Sequence, residues 1–171
     1  LLQDEVHDLA FYDPLTQLPN RRLLLDRLQQ ALAMSARHQN FGAVLMLDLD
    51  NFKSLNETQG HDMGDRLLGV VAQRLRSCVH ADDTVARHGG DEFVVLLRSL
   101  GENEQVAAAG AEEVAQKILN VMREPFELSG EHHHTTLSIG ITLFHGQRES
   151  ADELLKRGDL AMYRAKAEGR N

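Results

Sequence analysis

The sequence predicts an α+β domain built on a mainly antiparallel sheet. Three observations carry that expectation. Residues 42–49 (GAVLMLDL) form an almost continuous apolar run of strand length, as expected of a strand buried on both faces. Residues 83–88 and 92–97 read as two strands around the tight turn His88-Gly89-Gly90-Asp91. Longer segments place apolar residues at helical spacing, as in Leu67, Leu68, Val71, Leu75 and Val79.

Taken in order, residues 1–11 read as a helix that continues a linker from an upstream domain. Asp13-Pro14 breaks it and Pro19-Asn20 makes a second turn. Residues 20–38 carry Leu23, Leu24, Leu28, Ala31 and Leu32 at helical spacing. The 42–49 strand ends in Asp48-Leu49-Asp50 and is followed by a short turn over residues 51–56 and a helix over 64–79. After the Gly-Gly hairpin, residues 104–123 form a helix ended by Pro125. Residues 126–128 and 134–144 read as strands joined by Ser129-Gly130, and residues 151–168 as the last helix. The core order β-α-β-β-α-β is the ferredoxin-like pattern, with extra helices at both ends, a small hairpin, and helices expected over one sheet face. The division is a linker helix at 1–12 and one domain at 13–171.

Composition narrows the function classes. The 171 residues, 42% hydrophobic and 26% charged, suit a single globular domain. A formal net charge of −8 argues against a broad nucleic-acid surface while leaving room for a local phosphate pocket. No apolar run approaches the ~20 residues that span a bilayer, so no membrane contact by this domain is expected. The single cysteine, Cys78, excludes an internal disulfide and points to a cytoplasmic setting. The chain reads as a piece of a longer protein, whose parent could be anchored at the inner membrane.

The chemistry concentrates in two acidic segments. Asp48 and Asp50 alternate along a strand and so share a side, with Leu49 opposite. Gly89-Gly90-Asp91-Glu92 puts two acids at a strand start, beside glycines that leave room for a ligand. Each segment alone also reads as solvated turn residues. With the first and third strands side by side, however, the acids converge at one edge and suggest a magnesium site that bridges to phosphates. Between them, the turn at Asn51-Phe52-Lys53 can aim N–H groups and a cation at phosphates. Asn56 and Asp65 have the hydrogen-bonding groups to read a guanine edge; a helix C-cap and a helix first-turn charge are the plainer alternatives. His132-His133-His134 reads as a polar strand start near a hairpin, since neighbours on a strand point to opposite faces.

Gly89 to Phe93 spells the signature of the GGDEF family of diguanylate cyclases, which this chain resembles over residues 13–171. Asp13-Pro14-Leu15-Thr16-Gln17-Leu18-Pro19-Asn20-Arg21-Arg22 is similar to that family's opening motif, with Gln17 where glycine is usual. Leu137-Ser138-Ile139-Gly140-Ile141 and Ala161-Met162-Tyr163-Arg164-Ala165-Lys166 resemble its later motifs. The resemblance implies a fold related to nucleotide cyclase and polymerase palm domains. It implies magnesium, with manganese as an alternative ion, held by the carboxylates of Asp48, Asp91 and Glu92 and the Leu49 carbonyl. It further implies catalytic roles for Asp91, Glu92 and Lys53, and substrate contacts from Phe52, Lys53, Asn56, His61, Asp65, Lys166 and Arg170. The implied activity joins two GTP into cyclic di-GMP in a two-fold homodimer, within a protein carrying an upstream sensory domain and a downstream EAL domain.

One motif departs from the family. The inhibitory product site, Arg-x-x-Asp, is matched by His80-Ala81-Asp82-Asp83, so Asp83 is kept and His80 replaces the arginine. Histidine lacks the planar fork of guanidinium, so product inhibition at His80 and Asp83 is expected to be weak or absent. Three other functions compete: a catalytically silent GTP-binding module that regulates an adjacent EAL phosphodiesterase domain, a purely structural domain, and a cyclase for another nucleotide.

Overall fold

The computed structural model describes residues 2–146 and 148–168. Its elements are α1 (Leu2–Phe11), α2 (Arg21–His38), β1 (Phe41–Leu49), α3 (Phe52–Gln59), α4 (His61–Ser77), β2 (Thr84–Gly89), β3 (Glu92–Leu97), α5 (Glu104–Met122), β4 (Phe126–Leu128), β5 (Glu131–His133), β6 (Leu137–His145) and α6 (Ala151–Ala167). Side chains start three of the helices: Asn20 accepts from the Leu23 amide at 3.1 Å, Asn103 from the Gln105 amide at 2.8 Å, and Ser150 from the Glu153 amide at 3.1 Å. Among the described residues no helix is long and apolar enough to cross a membrane.

The main sheet has strand order β2-β3-β1-β6, all neighbours antiparallel. β1 lies inside it, with partners on both edges, which is why residues 42–49 are apolar on both faces. Its odd residues Ala43, Leu45, Leu47 and Leu49 join one core with α4 and α5. Its even residues Val44 and Met46 join a second core with α2 and α6. The expectation of helices over one face is therefore corrected: both faces are covered, because the sheet carries apolar side chains on both.

Two local expectations also change. Residues 51–56 are not a simple turn but enter α3, and α4 begins at His61 rather than residue 64. The Ser129-Gly130 turn, with φ of 53° and 80°, joins β4 to a short strand β5, not to the long one. β4 and β5 form their own two-stranded sheet, and β6 starts only at Leu137. His132 and His133 lie on β5, and His134 follows it.

The approach of α6 to the sheet depends on a missing side chain. A Cβ at Gly140 would stand 2.3 Å from the Met162 amide nitrogen and 2.7 Å from the Ala161 carbonyl carbon. Those are backbone atoms, so the helix itself would have to lift. Gly140→Ala is expected to cost about 2–3 kcal/mol by overpacking, read as a lower midpoint in urea unfolding.

Candidate functional site

The ends of β1 and β3 meet as the strand arrangement requires. Asp48 pairs with Glu92 in register, and the Leu49 amide donates to the Asp91 carbonyl at 3.2 Å. Asp48, Asp91 and Glu92 are all partly buried here. On the β6 side, Asp48 lies opposite Ser138. α6 delivers Lys166, whose Nζ forms an ion pair with Asp48 Oδ2. Among the described residues the other oxygen, Asp48 Oδ1, is buried with no hydrogen-bond partner.

Electrostatics mark this edge as strained. Burial, then the charge of Asp48, pushes the Asp91 carboxyl up to about 6. Burial and the neighbouring acids Asp48, Asp159 and Asp91 raise Glu92 as well, against the pull of Lys166. A divalent cation would lower the cost of ionising these crowded carboxylates together, and the Asp48 carboxylate is a hard oxygen donor. The residues present therefore suit magnesium. Among the described residues, no three acidic, histidine or cysteine side chains already stand as a closed cage; the positive charge of Lys166 sits on Asp48 instead.

A second cluster forms where α3 packs on α4. Asn56 lies inside α3 rather than capping it, and among the described residues its Oδ1 is buried without a partner. A Cβ at Gly64 would stand 1.9 Å from that oxygen and 3.2 Å from the Phe52 ring. Gly64 is thus the seat of the Asn56 amide, and the next residue, Asp65, is exposed. Gly64→Ala is expected to displace Asn56 and weaken binding of guanine nucleotides about tenfold, measured by calorimetry, with little change for a bare triphosphate. Lys53 is exposed on the first turn of α3, and His61 is exposed at the start of α4. Arg170 lies outside the described residues.

The turn that carries Asp91 is braced from a distance. Arg87 donates through Nη2 to the Gly90 carbonyl at 2.8 Å and through Nη1 to Asp13 Oδ1 at 3.1 Å. Asp13 also accepts from the Thr16 amide and hydroxyl, both at 2.8 Å. Burial works to raise the Asp13 carboxyl, but the bonds from Thr16 and the Arg87 charge outweigh it and hold it below the usual range. The opening motif is thereby tied to the Gly-Gly turn. Gln17 within it takes φ of 61°, the left-handed region where glycine is at ease. Sequence reasoning missed Arg87, whose only signal is its place two residues before the glycine pair. It also missed the seat at Gly64.

Asp50 is the other surprise. It is 4% exposed and is held by hydroxyls of β6 and the segment before it. His80 and Asp83 lie far from the acids, at the opposite end of the β1–β3 pair, beside a cavity of about 580 Å³ also lined by Arg98 and Lys117. The Asp83 carboxylate is committed to the backbone: it accepts from the His80 amide at 3.1 Å and the Arg98 amide at 3.2 Å.

Comparison with known proteins agrees with this fold. The chain matches the family model described as diguanylate cyclase, GGDEF domain, over residues 10–171. The bifunctional diguanylate cyclase/cyclic di-GMP phosphodiesterase MucR of Pseudomonas aeruginosa is 44% identical over 98% of this chain and 24% of its own length. The cyclic di-GMP phosphodiesterase NbdA of the same organism is 39% identical over 97% of this chain and 20% of its own. The chain thus spans about a quarter or less of these two relatives. The solved GGDEF domain of TpbB, also from Pseudomonas aeruginosa, superposes with a TM-score of 0.86 at 41% identity, covering 93% of this chain and 90% of that one.

Proposed function

The chain belongs to the GGDEF domain family of diguanylate cyclases, and from that premise we propose that it condenses two GTP into cyclic di-GMP, releasing two pyrophosphates. The observation that carries this reading is the juxtaposition of Asp48, Asp91 and Glu92 with the Lys166 cation at the ends of β1 and β3. In this proposal magnesium, or manganese in its place, is held by Asp48, Asp91, Glu92 and the Leu49 carbonyl. When bound, it neutralises triphosphate charge and eases ionisation of the ribose 3′-hydroxyl.

The residues themselves do the rest. Asn56 and Asp65 orient the guanine, the α3 amides behind Phe52 and Lys53 cradle phosphate, and His61 lies on the rim. Lys166 grips the triphosphate from α6, and Arg170, outside the described residues, is assigned the same role by the family resemblance alone. Asp91 stands where it can take the 3′-hydroxyl proton, while Lys53 stabilises charge on the reacting phosphate, a contribution of positioning and preorganised charge. Each 3′-oxygen attacks the other GTP's α-phosphorus, so two copies face each other in a two-fold pair. The acids lie where the two central strands β1 and β3 end.

Incubating the protein with GTP and magnesium and analysing products by mass spectrometry tests the proposal. Cyclic di-GMP is expected from the parent protein and not from Asp91→Ala; equal product from both would overturn it. The family likeness to NbdA supports a second reading, in which the domain binds GTP silently and regulates an adjoining phosphodiesterase domain of EAL type. GTP bound without cyclic di-GMP would favour it. Product inhibition through His80 and Asp83 is expected to be weak, because Asp83 is spent on the backbone; submicromolar cyclic di-GMP binding that Asp83→Ala abolishes would contradict this.

A further inference from the structure

Asp50 has the chemistry of a metal ligand and the surroundings of something else. Its Oδ2 accepts from the Thr136 hydroxyl at 2.6 Å and its Oδ1 from the Ser138 hydroxyl at 3.0 Å. Its amide donates to the Thr136 carbonyl at 2.8 Å, and its carbonyl accepts from the Thr135 hydroxyl at 3.2 Å. Among the described residues its side-chain partners are these two hydroxyls and no cation. A buried carboxylate is tolerated only where hydrogen bonds compensate it, and here both oxygens are claimed by β6 and the residue before it.

The next residue explains the expense. Asn51 takes φ of 60° and ψ of 22°, the left-handed region that few non-glycine residues enter and asparagine enters most readily. α3 starts immediately after, with Phe52 and Lys53. We propose that Asp50 is a positioning residue: clamped at four points by Thr135, Thr136 and Ser138, it forces the left-handed step at Asn51 and so aims the first turn of α3 at the phosphates. This deepens the reading of the site as a GTP site and rests on it for the identity of the phosphates.

Three variants and two measurements test it. The variants are Asp50→Ala, Asp50→Asn and the double change Thr136→Val with Ser138→Ala. Calorimetry with a non-hydrolysable GTP analogue and magnesium is expected to show binding weakened about tenfold by Asp50→Ala and by the double variant. Neither hydroxyl is itself a proposed contact. Asp50→Asn, whose amide can still accept one bond while a hydroxyl turns to accept the other, is expected to stay within about threefold of the parent. Amide hydrogen exchange over residues 52–55, without nucleotide, is expected to speed up in the first two variants and not in the third.

The proposal is overturned if Asp50→Asn shifts the magnesium requirement about tenfold while the hydroxyl variant behaves as the parent, since that is the pattern of a ligand. It is overturned equally if exchange in α3 is unchanged. Should Asp50→Ala not fold, Thr136→Val alone carries the same comparison. Were the parent not to bind the analogue, the GTP reading would fail, and exchange in α3 would still decide the role of Asp50.

Discussion

Asp91→Asn is expected to lower cyclic di-GMP formation at least about a hundredfold while leaving the fold as stable as the parent or more so. The catalytic loss follows from removing the carboxylate proposed to accept the 3′-hydroxyl proton. The stability gain follows from the surroundings: burial and the Asp48 charge push this carboxyl up to about 6 from an ordinary 3.8, so its ionised form is disfavoured by folding. The sign is definite. Between those two values the folded protein holds its proton more tightly than the unfolded chain, so stability falls as pH rises through the window and levels off above it. Asparagine has no proton to lose there. Thermal melts in metal-free buffer from about pH 4 to pH 8 should therefore show the variant gaining on the parent as pH rises. Curves that stay parallel would refute the argument, and an active variant would refute the role.

Much of this site was legible because it is encoded locally. The apolar run of β1 and the Gly-Gly turn fix two strands, and antiparallel pairing then forces Asp48 beside Glu92. Alternation placed Asp48 and Asp50 on one side; Val44 and Met46 of β1 face α2 and α6, and Asp50, one residue past β1, meets the Ser138 hydroxyl of β6. Their division of labour was not legible. Asp48 meets Lys166 from α6, and Asp50 meets hydroxyls from β6 and its lead-in, contacts separated by more than eighty residues. Sequence distance also hid the Arg87–Asp13 brace, which spans 74 residues; the seat that Gly64 gives Asn56 is local and shows only once α3 is packed on α4. The one-sided helix layer failed for another reason. Covering the second face needs α2 and α6, which the β-α-β-β-α-β pattern treats as additions at the ends.

Lys166→Met is expected to move two affinities in opposite directions. In the metal-free protein the Lys166 ammonium is paired with Asp48 and lowers the cost of ionising Asp91 and Glu92. It is the internal counter-charge of the acidic edge. Without it, the repulsion among Asp48, Asp91 and Glu92 loses the ammonium that offsets it, so the metal-free melting temperature should fall, by an amount equivalent to about 1 kcal/mol for a partly solvated pair. A divalent cation then meets a more negative edge with no competing ammonium. Magnesium affinity without nucleotide should rise about tenfold, and added magnesium should restore the melting temperature. GTP meets the reverse, because the ammonium that would leave Asp48 for the triphosphate is gone; affinity for a non-hydrolysable analogue should drop at least about tenfold. A merely structural lysine would weaken both ligands together. Calorimetry with magnesium alone and then with the analogue separates the cases, and a fall in both affinities would remove Lys166 from the charge balance of the site.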